Sequence, residues 1–320
     1  MVSRHLTGYL AGALALFISV SAASAQDVLK LAIGQRGNWD TSVAELGKRA
    51  GIFKKHGLDL ELLYTQGGGE TQQAVLSRSV DIGVAAGIMG VLGAYGKGAP
   101  VRIIGAETTG ARDLYWYVRA DSPINTLKDA NGKTIAYSTN GSSTHGVVTA
   151  FIAENGLQAR PVATGGPAAT LTQVMSGQID IGWSAPPFGL DLLGDNKIRI
   201  IASGDDAKAF KDQTVRLLIS NLDVLNNRKA VIDRFMKAYR ETVDWMYSDP
   251  AALPTYAAFV SISEERAKRT RDEFFPKTSL DPDKVVGLEK IMPDAVALKF
   301  LANPLTNEQL SELMQIPPRS

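Results

Sequence analysis

Short apolar runs alternate with amphipathic segments along the first part of the chain. Residues 28–34 form an apolar run that predicts a buried strand, and residues 41–56 have the spacing of a helix that Gly57 would end. The pattern continues with a strand at 58–64, a helix at 70–77 and a short buried strand at 82–85. Because strands that alternate with helices form parallel sheets covered on both faces, this order predicts an α/β fold.

The chain then repeats part of itself. Residues 75–84 resemble residues 174–183, so that Asp81-Ile82-Gly83 recurs as Asp180-Ile181-Gly182, 99 positions later. The pair Gly57-Leu58 recurs at the same spacing, and the triplet that begins at Arg102 recurs 97 positions later. A repeat of this length is a whole domain rather than a solenoid unit. The second copy again predicts strands at 134–137 and 179–183 and helices at 147–155 and 171–176.

Two extended apolar segments, 114–118 and 215–220, have the pattern of connections between the two copies. They predict a first lobe that begins with residues 26–118, a second lobe at 119–214, and a return crossing with helical completion of the first lobe at 215–320. Two doubly wound lobes joined by two crossing segments would leave a cleft between them. Ligands of open parallel sheets bind beyond the carboxyl ends of the strands, which places the predicted site in that cleft.

The amino terminus has the three parts of a secretory signal peptide. Arg4 provides a positive charge, residues 10–20 are apolar, and Ala23-Ser24-Ala25 is an Ala-x-Ala cleavage site. A membrane anchor is the alternative, but the apolar run is shorter than the roughly 20 residues that a membrane-spanning helix needs. We therefore expect residues 1–25 to be a signal peptide cleaved after Ala25, and the mature protein to be periplasmic.

Composition narrows the possible chemistry. The 34 Lys and Arg residues balance 33 Asp and Glu residues, so the chain has no overall basic field for nucleic acid. Cysteine is absent, which excludes disulfides, cysteine nucleophiles and thiolate metal sites. Histidine occurs three times, at His5, His56 and His145. We expect no catalytic residue, no metal and no cofactor.

Several local motifs resemble one family. Residues 46–58 look like its A-x-x-x-G-[IF]-F-x-x-x-G-L helix, with Gly47 in place of the first alanine. Gly67-Gly68-Gly69 stands at the family's turn after the second strand, and residues 140–145 are similar to its G-S-[ST]-x-H loop. With the signal peptide and two lobes, the chain resembles the periplasmic solute-binding proteins of ABC importers, in the group that binds sulfonates, taurine, nitrate and thiamine precursors.

The resemblance implies a function and partners. A monomer of this kind would capture a small anionic or polar organic solute between its lobes and deliver it to an ABC permease in the inner membrane. The same cleft would also serve a ligand sensor that presents its closed form to a signalling receptor. The remaining alternative is an exported serine hydrolase with Ser142 or Ser143 as nucleophile and His145 as base, although the motif Gly-x-Ser-x-Gly is absent from this loop.

The loop before the predicted helix of the second copy is the strongest candidate for ligand binding. A hydroxyl group of this loop could cap the helix while backbone N–H groups stay available for an anionic oxygen. His145 could donate to an anion or stack on a ligand, and its alternative is a bond to its own backbone. The candidate residues of this loop are Asn140, Ser142, Ser143, Thr144 and His145.

Other candidates lie in loops that follow predicted strands. Trp39 could stack on a ligand, with Asp40 beside it, and Arg36 could pair with a carboxylate or sulfonate. Packing against the first helix is the alternative for Trp39, and a solvated surface charge is the alternative for Arg36. The remaining predicted ligand contacts are Gly68, Gly69, Ala86, Gly87, Trp183, Ser184 and Pro186.

Overall fold

The computed structural model describes residues 26–319, to which all structural statements refer. The predicted signal peptide lies outside these residues. The strands are β1 (Asp27–Gly34), β2 (Leu58–Thr65), β3 (Ile82–Gly87), β4 (Val101–Thr109), β5 (Tyr115–Arg119), β6 (Thr134–Tyr137), β7 (Arg160–Ala163), β8 (Gly182–Ser184), β9 (Ile198–Ser203) and β10 (Thr214–Asn221).

The α-helices cover the sheets and fill the last third of the chain. They are α1 (Val43–Arg49), α2 (Ile52–Lys55), α3 (Gly68–Leu76), α4 (Ile88–Gly96), α5 (Ser143–Asn155), α6 (Pro167–Met175), α7 (Leu190–Gly194), α8 (Leu222–Ser248), α9 (Ala252–Val260), α10 (Glu264–Arg269), α11 (Leu288–Ala297) and α12 (Asn307–Leu313). A π-helical turn spans Thr270–Phe274, and 3-10 turns span Asp40–Ser42, Leu127–Ala130, Gly204–Asp206, Lys208–Phe210 and Lys277–Ser279. Within residues 26–319, no helix combines the length and apolar character that crossing a membrane requires.

The strands form two separate sheets with the same order. The first sheet has the order β2-β1-β3-β10-β4, in which β10 runs antiparallel to β3 and β4. In the second lobe β5 lies between β8 and β9, β6 pairs with β7, and a parallel bridge from Ile135 to Ile181 joins these two groups. The resulting order, β7-β6-β8-β5-β9, repeats that of the first sheet. The predicted two-lobed α/β fold is therefore confirmed, and β3 and β8 lie in different sheets.

The two crossings differ in detail from the predicted boundaries. Strand β5 pairs with β8 and β9, so residues 115–118 belong to the second sheet rather than to the first lobe. The chain returns through β10, which lies in the first sheet. The two segments that connect the lobes are hydrogen-bonded to each other. Gly110 N–H donates to the Gln213 carbonyl at 2.8 Å, and Ala111 N–H donates to Asp205 Oδ1 at 2.9 Å.

Two details of the helices depart from the sequence pattern. The helix predicted at 41–56 is divided into α1 and α2, because Gly51 has a left-handed backbone with φ of 74°. Helix α5 begins at Ser143, four residues before the predicted start, because Ser142 caps it. The long helix α8 packs its apolar face, including Phe235 and Tyr239, into the core of the first lobe.

Candidate functional site

A small polar cavity lies between the two lobes, where helices begin directly after strands. Its volume is about 20 Å³, which is room for one water-sized molecule. Helix α3 of the first lobe and helix α5 of the second begin at it. The cavity is lined by Gly34, Gln35, Asn38, Thr41, Gly67, Gly68, Ala85, Leu114, Ser138, Ser143, Thr144, Trp183 and Arg216.

Beside the cavity the lobes touch closely at glycine positions of the first lobe. The N–H of Gly69 donates to Thr139 Oγ1 at 3.1 Å. A Cβ atom built on Gly69 would lie 1.9 Å from the carbonyl oxygen of Asn140, and one on Gly87 would lie 2.5 Å from the Ser143 nitrogen. These predicted site residues are thus brought together. Their glycines allow the lobes to close, because any side chain there would hold the lobes apart.

The loop before α5 uses two of its three hydroxyl groups internally. Ser142 Oγ accepts the N–H of His145 at 3.2 Å and so caps the helix. Thr144 Oγ1 accepts the N–H of Ser138 at 2.8 Å. Ser143 lines the cavity, and among residues 26–319 no acceptor bonds to the N–H groups of Ser143 and Thr144. The predicted combination of a capped helix and available N–H groups is what this loop contains.

His145 and Asn140 are engaged within the protein. His145 Nδ1 accepts the N–H of Gly141 at 3.0 Å, which is the alternative foreseen for this residue. Its ring stacks on Tyr137, with centroids 4.5 Å apart, and meets the edge of Phe300 in the first lobe. Burial lowers the pKa of His145 below its ordinary value of 6.5. Asn140 Oδ1 accepts the Tyr137 hydroxyl at 2.6 Å.

Trp39 and Arg36 are held away from the cavity by the helical tail. The Trp39 side chain is fully buried, its Nε1 donates to the Tyr247 hydroxyl at 3.0 Å, and its ring meets the edge of Tyr256. Arg36 Nη2 donates to the Phe259 carbonyl at 3.2 Å, and its guanidinium lies 4.4 Å from the Phe259 ring centroid. The expectation of a stacking face at Trp39 is corrected: the indole is part of the first lobe's core, because the loop folds beneath α8 and α9.

Asp40 belongs to a buried charge cluster behind the cavity. Arg216 of β10 donates to Asp40 Oδ2 at 2.5 Å and to Asp113 Oδ2 at 3.0 Å, which ties the loop after β1 to the first crossing. Burial raises the pKa of Asp113 to about 6, although Arg216 opposes this shift. Burial also raises the pKa of the neighbouring Glu107 well above its ordinary value.

The remaining predicted residues of the second lobe lie at the end of β8 and in the loop that follows it. Trp183 lines the cavity, and its Nε1 donates to the Gly165 carbonyl at 3.1 Å. Ser184 Oγ donates to the Phe188 carbonyl at 3.3 Å, and Ser184 faces a neighbouring apolar pocket of about 130 Å³. Pro186 is buried in this loop. In the first lobe Ala86 is also buried, and it pairs with Leu217 in the sheet.

Comparison with known proteins identifies the family. A model of the family described as NMT1/THI5 like matches residues 44–253, from α1 through both crossings and α8 to the start of α9. The chain belongs to the NMT1/THI5-like family. The resemblance that the sequence motifs indicated is therefore confirmed for the family and for the fold. Among curated proteins, none matches the chain by sequence.

Solved structures place this NMT1/THI5-like chain in the fold of periplasmic binding proteins. The alkanesulfonate-binding protein SsuA of Xanthomonas axonopodis pv. citri, bound to MOPS, has a TM-score of 0.71 at 19% identity, covering 86% of this chain and 94% of that protein. The nitrate-binding protein NrtA of Synechocystis PCC 6803 has a TM-score of 0.68 at 13% identity, covering 91% and 86%. The desulfurization enzyme DszB has a TM-score of 0.60 at 17% identity, covering 89% and 96%.

In this NMT1/THI5-like chain the cavity uses only part of the predicted site. Gly68, Ser143, Thr144 and Trp183 line it. Sequence reasoning missed Gln35, Asn38, Thr41, Leu114, Ser138 and Arg216, which also line it. The available signal was a single arginine inside the apolar run of β10, because a charge in a buried strand needs buried partners.

Proposed function

We propose that the chain is the solute-binding component of an ABC importer, which encloses a small polar solute between its lobes and passes it unaltered to an inner-membrane permease. The observation that carries this proposal is the pair of separate sheets with the same strand order, together with a cavity at which one helix of each lobe begins. Membership of the NMT1/THI5-like family and the fold of periplasmic binding proteins support it.

Solute capture would follow from a hinge motion. The closed cavity has room for one water-sized molecule, so a larger solute must enter while the lobes are apart. Once inside, it would contact Ser143 on one wall and Asn38 on the other, and contacts with both lobes stabilise the closed form. The hydrogen-bonded connections at Gly110 and Ala111 are the segments about which the lobes would turn.

We also propose that the chain is exported and that the mature protein begins at Gln26. The charged start, apolar run and Ala-x-Ala site of residues 1–25 support cleavage after Ala25. Arg4 is the one Lys or Arg among those residues, so the mature chain has 33 bases and 33 acids. A location in the periplasm agrees with delivery to an inner-membrane permease.

The geometry around His145 does not support the hydrolase alternative. A serine nucleophile needs a histidine within hydrogen-bond reach to take its proton. Here Nδ1 accepts the Gly141 N–H, and Ser142 Oγ caps α5. Within the described residues neither imidazole nitrogen bonds to the hydroxyl of Ser142 or Ser143.

The test uses the protein recovered from the periplasmic fraction, whose intact mass should correspond to residues 26–320. A thermal-shift screen against small polar solutes should give at least one hit, and mass spectrometry should show that the hit leaves the protein unaltered. Ser143→Ala should weaken its binding by about fivefold through the loss of one hydrogen bond. The exposed Ser176→Ala is the matched control and should bind as the parent does.

Two outcomes would contradict the proposal. If the protein chemically changes the solute that it binds, it is an enzyme. If no solute of the screen binds, the result contradicts solute binding. The sensor alternative is separated by reconstitution, because an importer component loaded with its ligand should stimulate ATP hydrolysis by its permease complex, whereas a sensor should not.

A further inference from the structure

Phe300 forms a contact between the lobes without lining the cavity. It follows α11 in the first lobe, and its ring centroid lies 5.5 Å from that of His145 in the second lobe, with the two planes at 73°. Its backbone is held by its own lobe. The Phe300 N–H donates to the Ala295 carbonyl at 2.8 Å, and a Cβ atom built on Gly93 of α4 would lie 2.8 Å from the Phe300 carbonyl oxygen. The ring is thus a fixed projection of the first lobe.

His145 carries this contact to the loop before α5. Its ring meets Phe300 of the other lobe and stacks on Tyr137 of its own. Its Nδ1 accepts the Gly141 N–H at 3.0 Å, and the same loop continues to Ser143, which lines the cavity. Because aromatic pairs contribute free energy beyond the area that they bury, Phe300 stabilises the imidazole and, through it, the loop.

Before α11 the same segment of chain is bonded to the second crossing. The Thr214 N–H donates to the Val286 carbonyl at 3.0 Å, and the Val286 N–H donates to Thr214 Oγ1 at 2.8 Å. Gln213 Nε2 donates to Asp294 Oδ2 of α11 at 3.2 Å. Since the Gln213 carbonyl also accepts the N–H of Gly110 in the first crossing, these bonds lie where the lobes would turn.

Helix α11 connects the crossing with Phe300. Gly287, just before the helix, has a left-handed backbone with φ of 82°, and a Cβ atom built there would lie 3.1 Å from Gln213 Cγ. The ten residues of α11 extend about 15 Å. The buried face of α11 packs into the hydrophobic core that α4 also joins, through Ile291, Met292 and Ala295. A packed helix is a rigid connection, so a movement at the crossing changes the position of Phe300.

We propose that residues 286–300 form a latch, which favours the closed arrangement of the lobes before a solute arrives and holds the loop before α5 in position. Phe300 is a positioning residue that acts through His145. Turning of the lobes about the crossings would part the two rings, because each belongs to a different lobe. This inference rests on the proposed function, since it concerns closure of the same cleft.

The test is hydrogen–deuterium exchange of the mature protein without added solute, measured by mass spectrometry on a peptide that contains residues 140–146. Phe300→Ala should raise its exchange rate at least about threefold, because the loop loses the support of the ring. Phe274→Ala is the matched control, since Phe274 packs against the core of the first lobe, and it should leave this peptide unchanged. If Phe300→Ala does not fold, Phe300→Leu keeps an apolar side chain and should give a smaller increase.

Gly287→Ala tests the other end of the latch. The added Cβ atom would displace the segment from Gln213, so the exchange rate of the same loop peptide should rise. Gly98→Ala is the control, because Gly98 also has a left-handed backbone with φ of 84° but a Cβ atom there meets no atom within 4 Å. A local packing role of Phe300 would not transmit an effect from position 287 to the loop.

Two results would overturn the latch. Unchanged exchange in both Phe300→Ala and Gly287→Ala would show that the segment does not support the loop. A response to only one of these variants would show that the crossing and the loop are not coupled through it. Neither result involves a solute, so solute binding would still be decided by the thermal-shift screen.

Discussion

At the scale of single residues, the side chains around the cleft differ in how far their polar atoms are already bonded. Trp39, Arg36 and His145 have the most versatile recognition chemistry in their loops, and each is engaged within the protein. Asn38 and Ser143 are chemically plainer but face the cavity. Residue type in a sequence therefore indicates what a side chain can bind, whereas the partner it has is decided by long-range packing.

His145 should make stability depend on pH. Its pKa is lowered in the folded protein, so the unfolded chain takes up a proton first as the pH falls through the ordinary histidine value of about 6.5. The contribution of neutral His145 is present above that value and is lost below it. His145→Asn retains an acceptor for the Gly141 N–H but cannot titrate.

Thermal unfolding measured at about pH 7.5 and about pH 5.5 should show a smaller loss of stability for His145→Asn than for the parent. An equal loss of stability in both proteins would show that protonation of His145 does not contribute to the pH dependence in this range.

At the scale of elements, the strands and most helices follow from the sequence pattern, while their ends depend on backbone details. The apolar runs predicted β1, β2 and β10 to within one residue at either end. The break between α1 and α2 was missed, because a glycine inside a helical pattern does not reveal its φ angle. The contact between α4 and the loop before α5 could not be predicted from the sequence either, since it joins residues about fifty positions apart.

Gly90 of α4 should control whether the lobes close. A Cβ atom there would lie 2.2 Å from the Gly141 carbonyl oxygen, which is backbone and has little room to move. Gly90→Ala should therefore destabilise the closed form by about 1–3 kcal/mol. Small-angle X-ray scattering should give a larger radius of gyration than that of the parent.

Gly194→Ala is the matched control, because a Cβ atom at that helical glycine meets no atom within 4 Å. It should leave the radius of gyration unchanged. A Gly90→Ala protein as compact as the parent would mean that the closed arrangement does not depend on this contact.

At the scale of the whole molecule, the internal repeat predicted two lobes, and the structure shows that the repeated motifs occupy equivalent places in them. The repeated motifs at 81 and 180 lie at the starts of β3 and β8, where Asp81 and Asp180 bond to neighbouring backbone N–H groups of their own lobes. The lobe boundaries were less accurate, because an apolar crossing strand has the same pattern in either sheet.

An ion pair across the mouth of the cleft should favour closure. Arg266 of α10 in the first lobe bonds to Asp191 of α7 in the second, and both side chains are partly exposed. Such a pair contributes about 0–1 kcal/mol and weakens with salt. Arg266→Ala should reduce affinity for an identified ligand by up to about fivefold at low salt and by less at high salt.

Lys268→Ala is its control, since Lys268 pairs with Asp272 within the first lobe. A double-mutant cycle of Arg266→Ala with Asp191→Ala isolates the pair itself. A coupling energy of zero at low salt would show that this contact does not hold the lobes together.

The position of β10 has a consequence for biogenesis. Because β10 lies between β3 and β4, the edge strand β4 has no sheet neighbour until residues 214–221 have been synthesised. The second sheet, in contrast, is built from the continuous segment 115–203. A nascent chain thus cannot complete its first sheet until β10 has been synthesised, although the other four strands of that sheet emerge earlier. This delay would keep the amino-terminal half unfolded, as passage through a translocation channel requires.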